Sequence, residues 1–132
     1  MARHKMTSKD KHIIALSKIV SGPFSILYKE DDLIAYDCDG FTLTRVLPKA
    51  VVFVRDTEEV AEVVKYCSAN NLPYLARGAG TGLSGGATPI NGEVIISLVK
   101  MKKLISVDLE NRRAVVEPGF INLQLTNSIS GM

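Results

Sequence analysis

The sequence is poor in side chains that hold metals. It has two cysteines and two histidines, no Cys-x-x-Cys pair, and Cys38 and Cys67 stand far along the chain from His4 and His12, which excludes a zinc site of the usual spacings. His4 and His12 flank Asp10, but a third ligand is missing, so no metal site is assigned. Net charge is equally scarce. A formal +2 is too little to draw the chain to nucleic acid or to an anionic membrane. Most of the excess sits at the start, in Arg3, Lys5, Lys9 and Lys11, as in a solvated or frayed terminus. No apolar run is long enough to span a bilayer. No secretory hydrophobic segment follows the basic start, which gives a cytoplasmic expectation. Nothing in the spacing of Cys38 and Cys67 calls for a disulfide, and there are no internal repeats.

What is present is an ordinary apolar content, 46% of 132 residues, enough for one domain or part of a larger one. Ile13, Leu16 and Val20 recur at helical spacing and predict a helix from about Lys9 to Val20, with Thr7 and Asp10 as a capping box and Gly22-Pro23 as its stop. Tyr28 to Gly40 is acidic and turn-rich. Asp37 and Asp39 are read as turn-formers rather than as an acid/base or metal pair. Val51-Val52-Phe53-Val54 is a continuous β-branched run suited to a buried parallel strand. Asp56 caps the helix that follows, with Glu58 and Glu59 in its first turn and Val60, Val63, Val64 and Cys67 as the buried stripe. Cys67 is thereby a small core residue. Asn70-Asn71 ends that helix, and Leu72 to Arg77 forms the next strand. The unit is βαβ, so its two strands are expected to run parallel.

Half of the ten glycines fall in the next stretch, Arg77-Gly78-Ala79-Gly80-Thr81-Gly82-Leu83-Ser84-Gly85-Gly86-Ala87. Such a loop turns sharply and brings backbone N–H groups close to an anion with no Cβ in the way. Arg77 adds a permanent positive charge suited to phosphate. The loop leaves the C-terminal end of a parallel strand, where open α/β sheets bind ligands. It is not a Walker A loop, because Gly86 and Ala87 stand where Lys and Ser or Thr are required. Gly80 to Gly85 match the Rossmann fingerprint by letter, and Asp108 lies near the expected distance for a ribose-binding acid. Yet turn chemistry and then the strand Val94 to Leu98 follow, where a Rossmann loop opens into a helix. The letter match is therefore treated as coincidence. After a turn at Lys100 to Lys103, Ile105 to Leu109 and Ala114 to Glu117 form a hairpin. Asn122 to Ser130 starts a further helix.

With Met101-Lys102-Lys103-Leu104-Ile105-Ser106-Val107-Asp108 and Ala114-Val115-Val116-Glu117-Pro118-Gly119, this order of motifs resembles the N-terminal part of the FAD-linked oxidases of the vanillyl-alcohol oxidase type, which carry the PCMH-type FAD-binding domain. Within them it is most similar to the glycolate oxidase flavin subunit and D-lactate dehydrogenase group. The resemblance runs from about Ile13 to Leu125. It implies an α/β (α+β) fold, the first subdomain of that FAD-binding domain: a small parallel sheet with a βαβ unit and a following hairpin, truncated. Residues 1–46 are then a helix and lead-in, and 47–132 the incomplete domain. The cofactor implied is FAD, bound non-covalently because no His or Cys lies between Arg77 and Ala87. Its diphosphate falls to Arg77, Gly78, Ala79, Gly80, Thr81, Gly82, Leu83, Ser84, Gly85 and Gly86, with Pro118 and Gly119 near the cofactor. Val54 stands where the family usually has a proline shaping the adenine side, so no adenine contact is carried over.

The resemblance further implies a segment of a flavoenzyme acting on glycolate or D-lactate and inactive alone. No catalytic residue is assigned, and the expected partners are a chain carrying the missing subdomain and cap, or other oxidase subunits. Membrane contact is expected only through such partners. The alternatives are a non-enzymatic fragment and a nucleotide-binding half of a split protein.

Overall fold

The computed structural model describes residues 8–130. In chain order the elements are α1 (Ser8–Ile19), β1 (Ile26–Leu27), α2 (Glu30–Leu33) with a 3₁₀ turn (Ile34–Tyr36), β2 (Ala50–Phe53), α3 (Thr57–Ala69), β3 (Tyr74–Arg77), β4 (Val94–Ser97), β5 (Leu104–Asp108), β6 (Arg113–Val116) and α4 (Asn122–Ile129). The main sheet has the order β1-β2-β4-β3. The expected parallel relation of β2 and β3 holds, but the two do not touch. β4 enters between them and pairs with both in parallel, Val51 with Ile95 and Leu75 with Ile95. β1 adds an antiparallel edge strand through Ile26 and Leu27.

The unbroken apolar runs of β2 and β4 follow from burial on both faces. Val52, Val54, Val94 and Ile96 point to one side, where they pack with Leu16 and Val20 from α1 and its end and with Val63 and Cys67 of α3. Val51 and Ile95 point to the other, beneath Leu33 of α2 with Tyr36, Phe53 and Leu75 around them. α3 begins where its cap dictates: the Asp56 carboxylate accepts from the Glu59 N–H at 2.8 Å. It ends where the Asn70 side chain bonds the Tyr66 carbonyl at 2.8 Å and Asn71 takes a left-handed φ of 52°, a conformation that asparagine tolerates.

β5 and β6 form a separate antiparallel hairpin with an irregularity between Leu104 and Ser106. Two features were not expected. The acidic Tyr28 to Gly40 stretch is more than turns, since it holds α2 and the 3₁₀ turn, and β1 has no sequence signal beyond two apolar residues. The basic residues Arg3 and Lys5, the cap residue Thr7 and the histidine His4 lie outside the described residues. His12 bonds the Tyr66 hydroxyl through Nδ1 at 2.9 Å, which ties α1 to α3. No described helix is long and apolar enough to cross a membrane.

Candidate cofactor site

The glycine loop leaves the C-terminal end of β3. The parallel register sets Arg77 beside Ser97, so β3 and β4 end at the same sheet edge. Pro118-Gly119 comes to that edge from the hairpin. The Gly119 N–H donates to the Met101 carbonyl at 2.8 Å, and a Cβ on Gly119 would overlap the Leu98 carbonyl just past β4. Only glycine fits so close to another backbone. The Lys103 N–H donates to the Glu117 carboxylate at 2.7 Å and fixes the turn from its other side. The two sequence motifs thus meet: Ala79 and Pro118-Gly119 line one depression of about 350 Å³ with Val99, Lys102, Phe120 and Ile121. A second depression, about 280 Å³, joins Gly85 of the loop to Phe41, Thr44, Thr88 and Ile90.

Within the loop the glycines divide by cause. Gly80 and Gly85 take φ of 72° and 73°, which side chains resist. Gly78 and Gly86 do not: a Cβ there would meet nothing within 4 Å. Their lack of a side chain has no internal reason and leaves backbone open to an outside group. Among the described residues, no protein acceptor takes a backbone N–H from Gly78 to Gly86; the first amide of this stretch with a partner is Ala87. Unclaimed N–H groups on a loop without side-chain cover are what a diphosphate requires. The residues present therefore fit the FAD diphosphate. Thr81, Leu83 and Ser84 are exposed on the same loop.

Arg77 has a different place from its neighbours. Its side chain is buried, and its Nη1 donates to the carbonyls of Cys38 at 2.8 Å and Ala87 at 3.0 Å. The guanidinium also lies over the Tyr36 ring at 5.5 Å. Its charge reaches the loop from within. Facing it is Asp39, which does more than form a turn. Asp39 is buried, and its carboxylate accepts from the N–H of Phe41 at 2.9 Å and of Ala87 at 3.2 Å. Its own N–H donates to the Thr88 hydroxyl at 3.0 Å. The Phe41 amide foremost, then the Ala87 amide, the Thr88 hydroxyl and the Arg77 charge, hold its carboxyl below the usual range against the opposing effect of burial. Asp37, by contrast, is paired with Arg45 at 3.2 Å near the surface. Asp108 stands on the hairpin, bonded to Asn111, and lines neither depression at the loop.

A glycine loop between two parallel strands, with free amides at the sheet's C-terminal edge and no helix behind it, defines a nucleotide-binding α/β domain of a non-Rossmann kind. The comparisons make this specific: an FAD-binding domain family matches residues 48–131, and the chain belongs to that family. It is 35% identical over 118 residues to the glycolate oxidase subunit GlcD of Escherichia coli K12, covering 89% of this chain and 23% of that one. It is 35% identical over 117 residues to the D-lactate dehydrogenase of Anaerostipes hadrus, with the same coverages of 89% and 23%. The chain thus spans about a quarter of the length of these relatives. Among solved structures, p-cresol methylhydroxylase with substrate bound superposes with a TM-score of 0.80 at 29% identity, covering 96% of this chain and 26% of that one. The cofactor of the family is FAD, and the relatives place this chain among the FAD-binding domains of flavin oxidoreductases related to glycolate oxidase and D-lactate dehydrogenase.

Proposed function

We propose that this chain supplies the diphosphate-binding part of an FAD site in an oxidoreductase acting on a small 2-hydroxy acid, glycolate or D-lactate. The observation that carries the reading is the row of unclaimed amides from Gly78 to Gly86 beside the Pro118-Gly119 turn. The substrate class comes from the relatives that bear glycolate and D-lactate in their names. The loop amides hold the diphosphate, while Ala79, Pro118 and Gly119 line the depression next to it. Binding is non-covalent, since no His or Cys lies between Arg77 and Ala87.

When bound, the flavin supplies the acceptor for the electrons of alcohol oxidation. The reaction also needs a base within hydrogen-bond reach of the substrate hydroxyl. His12 is engaged with Tyr66 on the far helices. Asp39 has its carboxylate committed to backbone amides. We therefore assign the substrate-side groups to a chain carrying the remaining segments, or to other oxidase subunits, and place any membrane contact on those partners.

The test is titration of the chain with FAD and with ADP, followed by dye-linked oxidation of glycolate and D-lactate. Saturable binding of both nucleotides is expected, lost in Gly82→Val. Turnover is expected only when a chain carrying the remaining segments is added. Equal binding by Gly82→Val removes the loop as the diphosphate site. Robust turnover by the 132-residue chain alone removes the assignment of the catalytic groups to a partner.

A further inference from the structure

We propose that Asp39 and Arg77 form a two-sided clamp on Ala87 that holds the glycine loop with its amides outward, making both of them positioning residues for the cofactor's diphosphate. The inference rests on the FAD reading and names what shapes that site.

The geometry closes the loop from both ends. Arg77 is its entry residue, and through Nη1 it binds the carbonyl of Ala87, its exit residue, at 3.0 Å. The same Ala87 gives its N–H to the Asp39 carboxylate at 3.2 Å. Both polar backbone groups of Ala87 are thereby held by charged side chains, and such hydrogen bonds are stronger than neutral ones. The segment 37–41 is tied in by the Arg77 bond to the Cys38 carbonyl and by the Asp39 N–H to the Thr88 hydroxyl, and the Phe41 N–H bond to the Asp39 carboxylate closes the segment on itself. Asp39, Arg77 and Thr88 are all buried, so these bonds are little weakened by water.

Gly40 carries the effect to the middle of the loop. A Cβ there would stand 2.7 Å from the Gly82 carbonyl oxygen and 3.0 Å from that of Thr81. Those two carbonyls therefore abut the 37–41 segment. In a trans peptide the N–H opposes the C=O, so the N–H groups of Gly82 and Leu83 face away from the segment. The clamp and the Gly40 contact together decide which side of the loop presents donors. Without them a glycine-rich loop has many backbone states to choose from, and ordering it falls on the ligand.

The test compares wild-type chain with Asp39→Asn, Gly40→Ala and the control Arg45→Ala, which breaks the exposed pair with Asp37 and leaves the clamp untouched. ADP and FAD affinities are measured by calorimetry. The ¹H–¹⁵N heteronuclear NOE of residues 78–87 is measured without ligand, alongside thermal unfolding. Asparagine offers one acceptor oxygen where the carboxylate offers two. Asp39→Asn is expected to weaken ADP and FAD by about tenfold or more and to lower the NOE across the loop, with the α1 and α3 amides unchanged. Gly40→Ala is expected to do the same with the carboxylate intact, so that a folding failure of one variant leaves the other to decide. Arg45→Ala is expected to match wild type. If wild type binds and Asp39→Asn and Gly40→Ala bind equally well with an ordered loop, the clamp is overturned and the FAD site stands. If wild type takes up neither nucleotide, the FAD reading fails and the clamp's role falls with it.

Discussion

The guanidinium of Arg77 occupies the space that a Cβ on Gly80 would need. The same arginine that closes the loop thus requires a glycine inside it, and the backbone of Gly80 adds a second requirement through its φ of 72°.

Gly80→Ala is therefore expected to destabilise the chain by at least about 1–2 kcal/mol, the usual penalty of a left-handed L-residue, with more from displacement of Arg77. Gly86→Ala, where a Cβ meets nothing within 4 Å, is expected to unfold within about 0.5 kcal/mol of wild type yet to bind ADP more weakly, because its methyl stands where the ligand approaches. Urea unfolding and ADP titration of both variants check the pair. Equal binding by Gly86→Ala would sink the idea that this face is the ligand's.

Glu59 joins the end of α1 to the start of α3. It is buried, and its carboxylate accepts from the N–H and hydroxyl of Ser21 and from the N–H of Arg55 at 2.9 Å. Glu59→Ala leaves these donors without their partner and is expected to cost about 1–3 kcal/mol. Glu62→Ala, which loses only an exposed pair with Lys65, is expected to cost less than about 1 kcal/mol. Chemical denaturation midpoints of the two variants decide whether burial makes this difference.

Acid is expected to loosen the loop. The Phe41 amide first, then the Ala87 amide, the Thr88 hydroxyl and Arg77, lower the Asp39 pKa in the folded chain. A folded pKa below the unfolded one gives stabilisation that is complete above the unfolded value, about 3.9 for aspartate, and is lost as pH falls through the folded value. Asp108, held down chiefly by the Asn111 amide, acts in the same sense. Stability should fall below about pH 4 with a shallower slope in Asp39→Asn, because only that contribution is removed. Unfolding midpoints between neutral pH and acid are the measurement, and identical slopes count against Asp39.

The hairpin and α4 carry several large apolar side chains exposed to solvent. Ile105 is 62% exposed and Leu123 66%, with Leu109, Val115 and Ile121 about half exposed. A two-stranded hairpin alone is marginal in water, and contiguous apolar surface promotes association. The chain is expected to self-associate, and Ile105→Lys with Leu123→Lys to reduce it. Sedimentation showing a clean wild-type monomer at high concentration would contradict this.

Much of the sheet was legible because its signals are local. Val51 to Val54 is a dense β-branched run, Asp56 sits one residue before α3, and Asn70-Asn71 follows it. The loop was legible because its glycines are clustered. The 37–41 segment was not. Its contacts to Ala87 and Thr88 join residues almost fifty positions apart, and nothing near Asp39 distinguishes a clamp from a turn aspartate. Likewise Arg77 reads as a phosphate ligand by type, while its buried bonds to two carbonyls depend on where the 37–41 segment folds back. The position of β4 was hidden for a related reason: strand order is set by which faces are buried together, and one strand's own pattern does not state its neighbours.

That strand order bears on synthesis. β2 and β3 are complete in the nascent chain by Arg77, and β2 already has β1 along one edge, but β3 finds its ladder partner in Val94 to Ser97, the same strand that fills the other edge of β2. A ribosome halted after Gly92 holds two strands with an empty lane between them, and the glycine loop has no exit to anchor it. Protease protection of β3 should therefore appear only once β4 has cleared the exit tunnel, whatever β2 gains earlier from β1, and arrested chains of graded length would display it. Protection of β3 already present in a chain ending at Gly92 would mean that the lane is filled by something other than β4.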